Sequence, residues 1–130
     1  MLQAMSTGAS LTTLHANEPR EALLRLETMV MLAGFELPIR AIREQVALCI
    51  DLFVHLRRML DGSRRVVQVS EVLGLRGREI VLQDIFRFRV AEVRGGEVVG
   101  QLEPAGTIPR LVEKLRQRGV EVDEGWFSAG

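Results

Sequence analysis

Residues 38–57 read PIRAIREQVALCIDLFVHLR, and the hydrophobic period changes midway through them. Ile39, Ile42, Val46 and Cys49 recur three or four apart, the spacing of one helix face. From Ile50 onward the apolar residues Ile50, Leu52, Val54 and Leu56 alternate with Asp51, Phe53, His55 and Arg57, which is the period of a strand. The run predicts a helix over 38–49 that passes directly into a strand. It places the chain among folds that mix the two elements, and it puts His55 on the solvent side of its strand.

The stretch after residue 57 continues as strands. Asp61-Gly62 is a hairpin turn signal. Val66–Leu73 and Glu79–Val90 read as strands separated by Gly74–Arg78, with Ile80, Leu82, Phe86 and Phe88 on one face and Arg87 and Arg89 pointing away. Gly95-Gly96 marks another turn and Glu97–Leu102 a short strand. Strands joined by such short connections pair antiparallel. Pro109–Arg118 reads as a helix with basic residues in its last turn and Gly119 after it. The tail, VEVDEGWFSAG, is expected to be poorly ordered, with Trp126 and Phe127 as the residues able to tack it down.

Before residue 38 the pattern is strand, then helix. Met1–Met5 resembles the end of a helix stopped before Gly8. Ser10–His15, SLTTLH, is threonine-rich and reads as a strand. Glu18–Ala33 is a helix with Pro19 in its first turn, Leu23, Leu26, Val30 and Ala33 at helical spacing, and Gly34 as the stop. Glu21 and Arg25 form a favourably ordered i,i+4 pair. Its cap is either Asn17, with Pro19 second, or Glu18, with Pro19 first.

Length and composition bound the possibilities. The 130 residues suit one domain. Seventeen basic residues balance seventeen acidic ones, so no global field draws the protein to nucleic acid or an anionic membrane. Sixteen of the basic residues are arginines and only Lys114 is a lysine; the arginines look scattered along the chain. The single cysteine, Cys49, lies in an apolar helical run and reads as a core residue in a reducing compartment. No apolar run is long enough for a membrane span, and the first residues are unlike a signal peptide.

Few residues carry chemistry. His15 and His55 are forty residues apart with no Cys or Asp cluster, so spacing supplies no metal site. His15 ends the expected strand and precedes a helix, a place where α/β proteins present functional groups. Thr12, Thr13 and Asn17 cluster with it, and strand alternation puts Thr13 and His15 on one face. Gly95–Gly100, GGEVVG, has phosphate-loop glycine spacing, but Gln101-Leu102 follows where Lys and Ser/Thr are required. It reads as a strand turn.

The string MLQAMSTGASLTTLHANEPREALLRLETMV resembles the type II/IV secretion ATPase superfamily, and within it the CpaF-type ATPases of tight-adherence (Flp) pilus assembly. The likeness continues through LPIRAIREQVALCIDLFVHLRRMLDGSRRVVQVSEVLGL and EIVLQDIFRF to GEVVGQLEPAGTIPRLVEKLRQRGV. The resemblance implies an α/β fold, the distal part of a RecA-like P-loop ATPase domain with a small antiparallel meander and a closing helix. It divides residues 1–130, taken as one truncated domain, into a strand and helices (1–49), the meander (50–103), the closing helix (107–119) and the tail (120–130). It implies a cytoplasmic bacterial ATPase working as a homo-oligomeric, hexameric ring with inner-membrane pilus or secretion platform proteins, peripheral to that membrane through partners, and without nucleic acid. ATP and Mg2+ serve the intact family. By motif match, His15 and Thr13 support catalysis near the γ-phosphate, and Thr12, Asn17, Arg20 and Arg25 lie near the nucleotide; no residue is a metal ligand.

Departures from the family pattern qualify these implications. The family's phosphate loop and Walker B motif precede the MLQAM segment. Its TGHDGS pattern is here the shorter Thr7-Gly8-Ala9-Ser10. Ala91–Glu97, AEVRGGE, echoes the Walker B region but stands in the wrong order. Two expectations follow. One is a portion of a secretion ATPase that binds no nucleotide and turns over no ATP alone. The alternative is a stand-alone interaction module docking onto a partner ATPase subunit. Either way the strand Ser10–His15 would present an open edge, and the isolated chain would be marginally stable or oligomeric.

Overall fold

A computed structural model describes residues 10–34 and 36–129. The expected helix end at Met1–Met5 and the shortened Thr7–Ala9 turn lie outside the described residues. Helix α1 spans Pro19–Leu32 and α2 spans Ile39–Cys49. Strands β1 (Leu52–Arg58), β2 (Arg64–Arg76), β3 (Glu79–Arg94) and β4 (Glu97–Pro104) follow, then α3 (Leu111–Gln117) and a 3-10 turn at Glu124–Phe127. The fold is mixed α/β. Its strands form one antiparallel meander in the order β1-β2-β3-β4.

The chain forms two compact units, residues 1–51 with 72–82, and residues 52–71 with 83–130. The first holds α1 and α2. Pro19 takes the first helical position of α1, and Glu18 stands at the cap without a side-chain cap bond, so the second capping alternative holds. Gly34 ends the helical stretch at φ +82°, a conformation that excludes most side chains. Ala22, Leu23 and Leu26 pack inward with Ile42, Val46, Ile50 and Ile80. Burying a side chain such as Ile42 contributes roughly 1.5–3 kcal/mol. A half-buried ion pair, Arg43 Nε to Glu27 Oε1 at 2.7 Å, links α2 to α1, and Arg43 Nη1 also donates to Arg78 O at 2.6 Å. The helix-to-strand passage falls where the period changes. Ile50 N–H donates to Val46 O as the last helical bond, while its own backbone is already extended.

The second unit is built on the meander. β1 pairs with β2 so that Phe53 faces Ser70 and His55 faces Gln68. That face carries a polar network: Asp84 accepts from Gln68 Nε2 at 2.6 Å and Ser70 Oγ at 2.7 Å, and it pairs with Arg87. His55 is therefore half-buried rather than on an open surface. Leu52 and Val54 lie on the other face, opposite Glu71 and Val69. There Ile85, Val112 and Phe127 form the core, with Val69, Phe86 and Val122 against it. The tail is held by this core. Phe127 is buried and its ring lies 5.8 Å from that of Phe86, so of the two aromatic residues Phe127 tacks the tail down while Trp126 stays largely exposed.

Ser10–His15 is not a strand. Residues 10–16 have no regular structure and Leu11 is fully exposed. The composition is strand-like, but a strand exists only with a ladder partner, and among the described residues every ladder belongs to the meander.

The β1–β2 turn is fixed by Asp61. Its carboxylate accepts from Ser63 Oγ at 2.5 Å, Ser63 N at 2.9 Å and Val98 N at 2.8 Å. These donors, the Ser63 hydroxyl first, lower its pKa from the ordinary 3.8 to about 2. A depressed carboxyl pKa means that the unfolded chain binds the proton more readily. The Asp61 contribution is thus complete above pH 3.8 and is lost as pH falls towards 2. An Asp61→Asn variant should show a shallower acid limb in a pH series of denaturation midpoints. Parallel acid limbs in the two proteins would refute the assignment.

Candidate functional site

The candidate residues occupy one continuous stretch, an irregular lead-in followed by the first two turns of α1. Pro19, Ala22, Leu23 and Leu26 bury one side of the helix. Thr12, Thr13, His15, Asn17 and Arg20 are exposed. Buried helix positions thus anchor a polar lead-in that stays open to solvent.

Glu21 ties the lead-in to the helix. Its Oε2 accepts from Asn17 N at 2.9 Å, and its Oε1 accepts from Arg25 Nη2 at 2.8 Å and Arg25 Nε at 3.1 Å. The Asn17 backbone N–H first, and then Arg25, hold the Glu21 carboxyl below its ordinary range. As in a capping box, the glutamate at the third helical position reaches back along the chain, but here to the N–H of Asn17, one residue before the cap Glu18. Asn17 thereby helps fix the turn through its backbone. Arg25 is committed to Glu21. Arg20 makes no ion pair among the described residues.

Without a strand, alternation does not force Thr13 and His15 onto one face. The stretch offers two hydroxyls, an imidazole, an amide and a guanidinium, all suited to an anion. Among the described residues no three His, Cys, Asp or Glu side chains converge on a metal site. The residues have the chemistry of one wall of an anion site.

Three features are invisible in local sequence pattern because each joins residues distant along the chain. The Gln68–Ser70–Asp84–Arg87 network is one. Burial is the largest influence on Asp84 and opposes its ionisation, yet the donors from Gln68, Ser70 and Arg87 together lower its pKa. Ser70 is completely buried, so its hydroxyl braces the sheet and is closed to substrate. Glu71 is the second. Its carboxylate accepts from Arg110 N at 2.9 Å and Leu111 N at 2.6 Å, at the start of α3. The third is an apolar groove of about 330 Å3, with Leu52, Val69, Leu115 and Trp126 among its lining.

No helix among the described residues is long and apolar enough to cross a membrane. Compared with known proteins, the sequence matches no family model and no curated protein.

Proposed function

We propose that this chain is the distal part of a RecA-like domain of a pilus-assembly or secretion ATPase, and that the stretch around His15 forms one wall of its nucleotide site. The observation that carries the reading is the string LTTLHANEPREALLRLE together with its burial. The apolar positions of its helix are packed away, while Thr12, Thr13, His15, Asn17 and Arg20 face solvent. Positioned donors and cations stabilise the charge that develops on a transferred phosphoryl group. His15 and Thr13 take the γ-phosphate side. Arg20 reaches for the nucleotide or a neighbouring subunit, and Arg25 positions the turn through Glu21. The phosphate loop comes from sequence other than these 130 residues. In that role the protein works at the cytoplasmic face of the bacterial inner membrane, in a ring of like subunits beside the pilus or secretion platform, with ATP and Mg2+ bound by the completed site.

Split-protein complementation tests this. The chain alone should turn over no ATP and show no thermal shift with Mg-ATP. Co-purified with the phosphate-loop-bearing half of a tight-adherence pilus ATPase, it should restore turnover. His15→Ala should lower that turnover by roughly 100-fold, the scale of losing one positioned donor. A thermal shift of the chain alone with micromolar ATP would refute the reading. So would a stable complex without turnover, or one indifferent to His15→Ala.

A further inference from the structure

The β1–β2 hairpin gathers arginines that are separate in sequence. Its register sets Arg57 opposite Arg65 and Arg58 opposite Arg64. Like charges directly opposite one another across a strand pair repel. Arg65 is braced, with its guanidinium 5.5 Å from the Phe88 ring centroid and its Nε donating to Ser63 Oγ at 3.2 Å. Arg57, Arg58 and Arg64 are exposed and make no ion pair with the described residues. The adjacent acid, Asp61, is engaged by Ser63 and by Val98 N. Between the arginine pairs, at the apex, Leu60 is 99% exposed. It is presented by a turn closed by Met59 N to Ser63 O at 2.7 Å and Gly62 N to Met59 O at 2.9 Å, with Gly62 at φ +83°.

An apolar residue held outward on a fixed turn, ringed by unpaired guanidinium groups, fits a surface that is anionic outside and apolar beneath. We infer that the β1–β2 hairpin tip docks on an anionic lipid bilayer, Leu60 entering the headgroup layer and Arg57, Arg58 and Arg64 binding lipid phosphates. Lipid phosphates neutralise the opposed arginines, and the acyl boundary takes Leu60. Leu56, exposed on the adjoining strand, extends the apolar side. A nucleic acid would satisfy the charges but leave Leu60 unused, and the tip carries no aromatic ring on which a base could stack. This inference stands apart from the ATPase reading, since it uses none of the residues near His15.

Co-sedimentation of the intact chain with vesicles tests it. The protein should pellet with mixed phosphatidylglycerol and phosphatidylcholine vesicles and stay in solution with phosphatidylcholine alone. Binding should fall steeply near 1 M salt, where the screening length is about 3 Å. Arg57→Gln and Arg64→Gln should each weaken partitioning by about fivefold, and Leu60→Ser by about tenfold, with unchanged circular dichroism. Equal binding to neutral vesicles, absence of binding to anionic ones, or binding untouched by all three variants would overturn the inference. So would retention by a mixed-sequence oligonucleotide that exceeds retention by the anionic vesicles.

Discussion

Replacing Glu71 with alanine should lower the stability of this protein by about 3 kcal/mol. Glu71 is 4% exposed, and both its carboxylate oxygens accept backbone N–H groups at the start of α3. That helix has seven residues, too few to be stable without tertiary support. Its leading N–H groups have no partner within the helix. A hydrogen bond to a charged acceptor contributes roughly 1.5–3 kcal/mol, and a negative charge at a helix N-terminus roughly 0.3–2 kcal/mol. These terms overlap, and the cost of burying the carboxylate offsets part of them, so the net loss is about 3 kcal/mol and not their sum. Glu71→Gln keeps one acceptor but turns an amide NH2 towards the other donor, so it should lose about half as much. Denaturation in guanidinium chloride measures both. Trp126 fluorescence should shift in Glu71→Ala, because the core contacts of Val112 and Phe127 depend on α3 being seated. A change below about 0.5 kcal/mol in Glu71→Ala would mean that α3 is held by its apolar face alone.

Local periodicity made most elements legible. The change of period after Cys49 marks where α2 ends and β1 begins, and Asp61-Gly62 and Gly95-Gly96 mark two of the three hairpins. Gly95 and Gly96 both have positive φ, as a two-residue turn of the type favoured between strands requires. The misreadings come from terms that local pattern does not contain. SLTTLH has the composition of a strand and none of the described strands to pair with. The alternation in β1 is real, but the half-buried side is that of Phe53 and His55, because Gln68, Ser70 and Asp84 fill that face. On β3 the buried residues Ile80 and Ile85 are five apart, an odd spacing at odds with a single inward face. The strand passes from one unit to the other between Leu82 and Gln83.

The candidate site divides along the same line. The lead-in and its helix could be read from the sequence because they are contiguous: His15, Asn17, Arg20 and the Glu21–Arg25 pair fall within eleven residues. The arginine cluster could not. Sixteen arginines against seventeen acids look evenly spread in a chain of zero net charge. Only the register, Arg57 to Arg65 and Arg58 to Arg64, turns two dipeptides into one cationic tip. A balanced total charge therefore excludes a global field but says nothing about a local one.

Gly100→Ala should be as costly as Glu71→Ala, about 3 kcal/mol, and for a reason that no local rule supplies. Gly100 sits in β4 opposite Val90, beside the irregularity where Ala91 is the extra residue between Val90 and Glu92. The bulge bends β3, as bulges do. A Cβ at Gly100 would meet the Phe88 ring at 2.8 Å and would run into the carbonyl oxygen of Arg89 more closely still. Phe88 cannot withdraw freely, because the Arg65 guanidinium lies over its ring. Overpacking of this kind costs typically 1–3 kcal/mol, and a clash with backbone, which cannot change rotamer, belongs at the upper end. The two contacts are separable by a double-mutant cycle. Phe88→Leu in the Gly100→Ala background should recover only the ring's share, leaving about half the penalty with the Arg89 carbonyl. Urea denaturation of the four proteins gives the coupling energy directly. Full recovery would place the whole clash on the ring. No penalty at all would mean that β4 stands farther from β3 at this point than the paired register Val90 to Gly100 requires.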